Sequence, residues 1–511
     1  MNSFKQRIIA FLLILSGVNS YAQNVTPWLT RGDQSVLLEP QSPVSFVPYT
    51  GGGATITVDT TSKFQHIDGF GFCLTQGSAE VINGMSVGSK ADLLNELFGS
   101  NGLKISMLRI SIGASDLSNS TYSYNETPGD VNMTNFSLSG PDSVHLIPLL
   151  QEILAINPSI KILATPWTAP TWMKTNNAWI GGSLDPLYYD AYSQYFVKYL
   201  QEMDNNGINI WGITPQNEPE NSWNEPSMLM NSSEQTNFIN NHLGPDIAAS
   251  GYTPKIIAFD HNCDNPTYPI IVLANSSYVD GAAFHLYAGD VSVLSTVKNI
   301  TGKNVYFTEQ YTSVNGDFNG DLGWHMENVV IGSLNNWSKT VLEWNLATDA
   351  SHGPYTPGGC TDCLGTLTIN SPTDYDINVS YYIIGHLSKF IQPGAKRIEV
   401  NTNIPTLFAS AFKNPDNTFA ILAYNSENNS ENIQLVIESQ KVDFTIPPRS
   451  AVTFVTDDLS VLGLGRIHNS VEKKLIKIVD FMGRETEYVP NIPLIYIYSD
   501  GTREKVMKLE D

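Results

Sequence analysis

Ile213-Thr214-Pro215-Gln216-Asn217-Glu218-Pro219 and Val305-Tyr306-Phe307-Thr308-Glu309-Gln310 are the two stretches that decide how this chain folds. Each runs from β-branched or aromatic residues, the composition of a buried strand, into a single glutamate. A barrel of parallel strands carries its chemistry where the strands end. Two carboxyl groups brought to one place from different strands are the minimum apparatus for hydrolysing a glycosidic bond.

Outward from these stretches, residues 64–385 alternate short apolar runs with longer helical segments, the texture of βα units around a parallel sheet. Eight strands are expected. The first four begin at Phe64-Gln65-His66-Ile67-Asp68-Gly69-Phe70, Ile105-Ser106-Met107-Leu108-Arg109-Ile110, Ile160-Lys161-Ile162-Leu163-Ala164 and Ile210-Trp211-Gly212-Ile213. The next four are Lys255-Ile256-Ile257-Ala258-Phe259, Gly281-Ala282-Ala283-Phe284, Val305-Tyr306-Phe307 and Val341-Leu342-Glu343-Trp344. Eight strands close a (β/α)8 TIM barrel, so the fold class is α/β. Residues 24–63 and 386–457 have β texture and are expected to form one side β-sandwich, and 458–511 reads as a small C-terminal β module. At the other end, Lys5 and Arg7 precede the apolar run Ile8–Leu15, and Ser20-Tyr21-Ala22 offers a small-x-small cleavage site. Residues 1–22 therefore read as a signal peptide, which implies a secreted or cell-surface protein with no integral membrane segment.

The 511 residues carry 28 basic and 50 acidic side chains, a net charge of −22. That surface repels phosphate backbones, which argues against nucleic acid as a partner. Low charge with 9 Trp, 23 Tyr and 21 Phe suits a protein that stacks rings against sugars, and equally a large core with tyrosines at its edge. Cys360 and Cys363 form a lone C-x-x-C, read as a local disulfide rather than zinc in an exported chain. Cys73 and Cys263 are left open, as a second bridge or two buried thiols.

Polar residues at other strand ends complete the candidate site. Arg109 lies within an apolar strand and needs a carboxylate partner, for which Glu309 is the candidate. His285 and Tyr287 are two apart and share one side of their strand. A tyrosine hydroxyl there can hold a nucleophilic carboxylate in place. His285 is read as catalytic support, with a core histidine as the alternative. Trp344 is placed at the floor of a sugar subsite, and Trp167 and Trp172 in the same pocket. Asp116 can accept from sugar hydroxyls, or can cap a helix.

Taken together these motifs resemble glycoside hydrolase family 30, the glucosylceramidase-like retaining β-glycosidases. The similarity covers about Phe64 to Val455 and rests on Arg109–Asp116, Thr121-Tyr122-Ser123-Tyr124, Pro166–Asn176, Gln216–Pro219 and Trp344-Asn345-Leu346-Ala347. By position the resemblance makes Glu218 the acid/base, Asn217 a contact to the sugar 2-hydroxyl and Glu309 the nucleophile. It implies a β-glucosidic bond as substrate, in a β-glucan or other β-linked glycan, and no metal or organic cofactor. Gly69-Phe70-Gly71-Phe72-Cys73-Leu74-Thr75-Gln76 and Glu309-Gln310-Tyr311-Thr312-Ser313 depart from the glucosylceramidase pattern. They look more like bacterial polysaccharide-degrading members, some of which cut β-1,6-glucan. The tail from about residue 475 resembles a type IX secretion sorting module, which would make that machinery a partner. A β-xylosidase or xylanase on the same scaffold is the alternative enzyme. A non-catalytic carbohydrate-binding protein is the alternative outside enzymes.

Overall fold

The computed structural model describes residues 24–457, 475–480, 484–491, 494–498 and 503–506. The expected signal peptide lies outside these residues. The described parts fall into two compact units, residues 1–457 and 458–511.

Eight parallel strands form the centre of the first unit. In chain order they are β1 (Gly69–Cys73), β2 (Met107–Ser111), β3 (Lys161–Thr165), β4 (Gly212–Ile213), β5 (Lys255–Cys263), β6 (Val279–Gly289), β7 (Asn304–Glu309) and β8 (Thr340–Asn345). Sequential strands pair from β1 to β7, and β8 pairs with β1. The remaining seam, between β7 and β8, is bridged partly by side chains. Lys339 N donates to Val305 O at 3.1 Å, Phe307 N to Ser338 Oγ at 2.8 Å and Thr340 Oγ1 to Phe307 O at 3.0 Å. Parallel strands are buried on both faces, which is why β1, β2 and β8 read as unbroken runs of buried residues rather than alternating ones. Gly71 faces this crowded interior, where a Cβ would sit 1.9 Å from Met107 O. Inside the barrel Met107, Leu163, Ile257, Ala283, Tyr306 and Leu342 make an apolar layer. Helices pack outside, as in Tyr189–Asn205, where Tyr192, Tyr195, Phe196 and Tyr199 are buried at helical spacing.

The side sandwich is one eleven-stranded sheet folded over on itself. Asn24–Arg31 pairs with Ser450–Thr456, and Thr55–His66 pairs with Lys396–Thr402 and Glu431–Ile437. The sheet doubles back so that Phe444 packs edge-on against Phe454 at 5.3 Å. It is fixed to the barrel through helix Val379–Ser388, where buried His386 sits between Thr453 Oγ1 and Thr30 Oγ1, 2.9 Å from each. In the second unit Leu475–Val479, Leu494–Tyr498 and Arg503–Val506 form a three-stranded antiparallel sheet.

Two expectations need correction, and one open question is resolved. Phe64-Gln65-His66 does not open the barrel, because it ends the long sandwich strand Thr55–His66, and β1 starts at Gly69. The boundaries at 63/64 and 385/386 consequently cut through elements, the first inside that strand and the second inside helix Val379–Ser388. The open question about cysteines resolves into one bridge, Cys360–Cys363, with Cys73 and Cys263 as free buried thiols.

Candidate active site

At the C-terminal end of the barrel the apolar layer gives way to a charged one. Arg109, at the middle of β2, is fully buried. Its guanidinium donates to Glu309 Oε2, to Asn217 Oδ1 at 2.6 Å and to Asp260 Oδ2 at 3.0 Å. The indoles of Trp167 and Trp344 cover it at 4.9 and 5.9 Å. Burial works against its charge, yet Asp260 and Glu309 hold the guanidinium charged. Asp260, also fully buried, receives Thr308 Oγ1 at 2.7 Å and Thr214 Oγ1 at 2.8 Å besides Arg109. Burial would raise this carboxyl, but Arg109 and His285 hold it far below the usual range.

The two glutamates stand above this layer. Glu309 ends β7 and accepts from Arg109 and, at 3.0 Å, from Tyr287 Oη. Burial of the hydroxyl first, then Glu309 and Glu218, keeps Tyr287 a phenol, so it stays a donor. Glu218 lies past the end of β4 in the left-handed region, φ +43°. Its N–H donates to Asp260 O at 2.9 Å, its O accepts from Asn221 N at 2.8 Å, and Asn221 Nδ2 donates to Oε2 at 2.7 Å. These bonds hold a conformation that non-glycine residues seldom adopt. Asn217 presents its carbonyl to Arg109, which leaves its amide nitrogen for a substrate hydroxyl.

His285 joins the pair. Its Nε2 is 3.1 Å from Asp260 Oδ1, and its Nδ1 is 3.1 Å from Glu218 Oε1 and 3.5 Å from Glu309 Oε1. Carboxylates only accept, so both ring nitrogens carry protons while Glu218 is ionised. Burial opposes that charge, but Glu309, Asp260 and Glu218 raise the imidazole to about 10. Burial likewise pushes Glu218 up, and the His261 and His285 imidazoles overcome it and hold the carboxyl low. The site therefore keeps one transferable proton between Glu218 and His285. Because one nitrogen reaches both glutamates, their nearest oxygens are no farther apart than those two lengths laid end to end. Retaining glycosidases separate their carboxyl groups by ~5–5.5 Å and inverting ones by ~6.5–9.5 Å. A shared contact of this kind brings the two carboxyl groups close enough for the shorter spacing.

A cavity of about 440 Å³ opens over the pair, lined among others by Asp116, Trp167, Tyr287 and Trp344. Trp167 and Trp344 lie 5.4 Å apart. Asp116 is 7% exposed, and its Oδ1 has no partner. Burial first, then Glu309 and Glu218, raises its carboxyl to about 7. An unpartnered buried oxygen in a cavity wall is a ready acceptor for a sugar hydroxyl. Every residue expected at the site is brought here except Trp172. That side chain is buried in the outer wall, with Nε1 donating to Asn125 O at 2.8 Å and its ring against Tyr188.

Three participants escaped the sequence reading: Asp260, His261 and Asn221. The first two follow the expected strand Lys255–Phe259 directly, so the strand-end rule could have found them. A bulge hid them from a period-two reading, since Phe259 pairs with Ala283 and His261 with Phe284, leaving Asp260 unpaired at φ +65°. His261 Nδ1 then comes within 3.7 Å of Glu218 Oε1. Among the described residues, Glu218, His261 and His285 could share an ion, as could Cys360, Asp362 and Cys363. In the first group both His285 nitrogens already serve carboxylates, and in the second both sulfurs are in the disulfide.

Two carboxylates sharing one histidine nitrogen, one bonded by arginine and tyrosine and the other paired with a proton donor, are the means of double displacement. Residues 67–391 match the glycosyl hydrolase family 30 TIM-barrel domain, and residues 394–454 match the family 30 beta sandwich domain. The chain belongs to glycosyl hydrolase family 30. It is a glycoside hydrolase. Among family 30 relatives, the endo-1,6-beta-D-glucanase neg1 of Aspergillus fumigatus is 35% identical over 435 residues, 78% of this chain and 87% of that protein. The lysosomal acid glucosylceramidase of Mus musculus is 28% identical over 431 residues, 78% of this chain and 82% of that one. A solved structure of an endo-β1,6-glucanase superposes with a TM-score of 0.79 at 35% identity, covering 84% of this chain and 99% of that chain.

Proposed function

We propose that this family 30 enzyme is a secreted, endo-acting β-1,6-glucanase working by double displacement. Glu309 attacks the anomeric carbon while Glu218, taking the proton held with His285, protonates the leaving oxygen. Glu218, again a carboxylate, then draws a proton from the water that hydrolyses the glycosyl-enzyme ester. Arg109 and Tyr287 orient Glu309 throughout. The observation that carries the mechanism is the single histidine nitrogen in reach of both glutamates. The linkage rests on relatives at 35% identity that act on β-1,6-glucan. Secretion rests on the N-terminal sequence, and the three-stranded C-terminal module is proposed as the sorting signal.

The test compares β-1,6-glucan, an aryl β-glucoside and an aryl β-xyloside. Faster turnover of β-1,6-glucan with a ladder of short oligosaccharides is expected. Release of monomers only would refute endo action, and preference for the xyloside would move the enzyme to the xylan-degrading branch. Glu309→Gln is expected to lower kcat by ~10³-fold or more.

A further inference from the structure

Trp223 is 86% exposed, whereas no other aromatic side chain among the described residues exceeds 41%. A single exposed apolar side chain is ordinary and by itself means nothing. Position makes this one different. The residue lines the catalytic cavity, together with Glu220, Asn221 and Asn224. It stands on the segment that leaves β4 and carries Glu218, five residues downstream of it.

That segment is tied down by its backbone while the indole is left uncovered. Asn221 joins catalytic acid and tryptophan: its Nδ2 donates to Glu218 Oε2 at 2.7 Å, and its Oδ1 accepts from Trp223 N at 2.9 Å. Farther along, Ser227 N donates to Trp179 O at 3.0 Å, and the buried Lys174 ammonium reaches Ser227 O at 2.7 Å and Ala178 O at 2.7 Å. A fixed backbone beneath a bare ring makes a pre-organised contact surface, which saves the ordering cost on binding.

Chemistry decides which part of the substrate meets it. Glu218 must sit beside the oxygen that departs, so the segment it stands on borders the leaving-group side of the cleft. A pyranose offers an apolar C–H face that matches an indole, with hydroxyls at its rim for polar neighbours such as Asn224. We propose that Trp223 is the stacking platform for the glucosyl residue on the leaving-group side, and that Asn221 keeps this platform in register with the catalytic acid. The proposal rests on the polysaccharide reading above and names the residue that would favour a chain over a lone glycoside.

The test measures kcat/KM for a β-1,6-linked gluco-oligosaccharide and for β-glucosyl fluoride, whose leaving group has no ring to stack. In Trp223→Ala the ratio of the two constants is expected to fall ~10-fold or more, with Trp223→Phe recovering part of the loss. An unchanged ratio in Trp223→Ala would overturn the proposal, whether both constants hold or both fall together. If the wild type fails on β-1,6-linked oligosaccharides but cleaves another β-linked series, the linkage is wrong, and the same ratio measured on that series still decides the role of Trp223. A melting temperature equal to that of the wild type verifies the fold of each variant.

Discussion

His285 decides how one glutamate can be acid in the first half of the reaction and base in the second. Its ring lies between Asp260, fixed as an anion by Arg109, and Glu218, so the proton on Nδ1 is held next to the oxygen that needs it. The surrounding carboxylates raise the imidazole to about 10, so the proton is kept below that pH and lost above it. Activity should therefore survive into alkaline solution and fall as pH rises through the apparent value of the pair. In His285→Phe the alkaline limb of kcat/KM is expected to move toward acid by at least ~1 pH unit; an unmoved limb would show that the proton resides elsewhere. Asp260→Asn is the companion experiment. It leaves Arg109 and His285 facing an amide inside a buried charge network, an arrangement that costs about 3–5 kcal/mol. Lower thermal stability together with a loss of turnover is expected.

At the scale of elements, four strands break register where they reach the site. The skipped residues are Asp260 in β5, Leu286, Tyr287 and Ala288 in β6, Thr308 in β7 and Trp344 in β8. Each bulge turns a residue inward that strict alternation would send elsewhere. That explains which parts of the site were legible in the sequence. Glu218, Glu309 and Arg109 stand in or just after apolar runs and could be read directly. Tyr287 could be placed by its spacing from His285. Asp260 and His261 could not be placed by period, because the backbone abandons the period there. Asn221 lies in an irregular segment with no pattern to read. The eight strands were legible for a simpler reason: buried parallel strands are apolar throughout, so only the first, fused in sequence with a sandwich strand, was misplaced.

The loop closed by Cys360–Cys363 belongs to this scale too. Thr356, four residues before it, donates its N–H to Asp116 O at 2.9 Å, and within it Asp362 O accepts from Val314 N at 2.9 Å, so the bridged segment braces the Asp116 wall of the cavity. Replacing both cysteines by serine should loosen that wall and raise KM by ~5- to 30-fold with kcat little changed. Equal KM values for the variant and the wild type would mean that the loop is held without the bridge.

For the whole first unit, barrel and sandwich meet at His386. Burial alone lowers this imidazole to about 3, and it stays neutral between two threonine hydroxyls. Unfolded, it would titrate near 6.5. Between those values the unfolded chain binds the extra proton, so the stability from His386 is complete above pH 6.5 and is lost as pH falls toward 3. The slope is about 1.4 kcal/mol per pH unit. Denaturant unfolding of the wild type and His386→Gln across this window should show that slope in the wild type and a shallower one in the variant. Parallel lines would place the acid sensitivity elsewhere.

The central claim is that Glu309 forms a bond to the sugar while Glu218 manages the proton. Incubation with a 2-deoxy-2-fluoro-β-glucosyl fluoride, followed by proteolysis and mass spectrometry of the peptides, tests it most directly. A fluoroglucosyl adduct on Glu309 is the predicted result. An adduct on any other residue, or hydrolysis with inversion and no adduct, would contradict it.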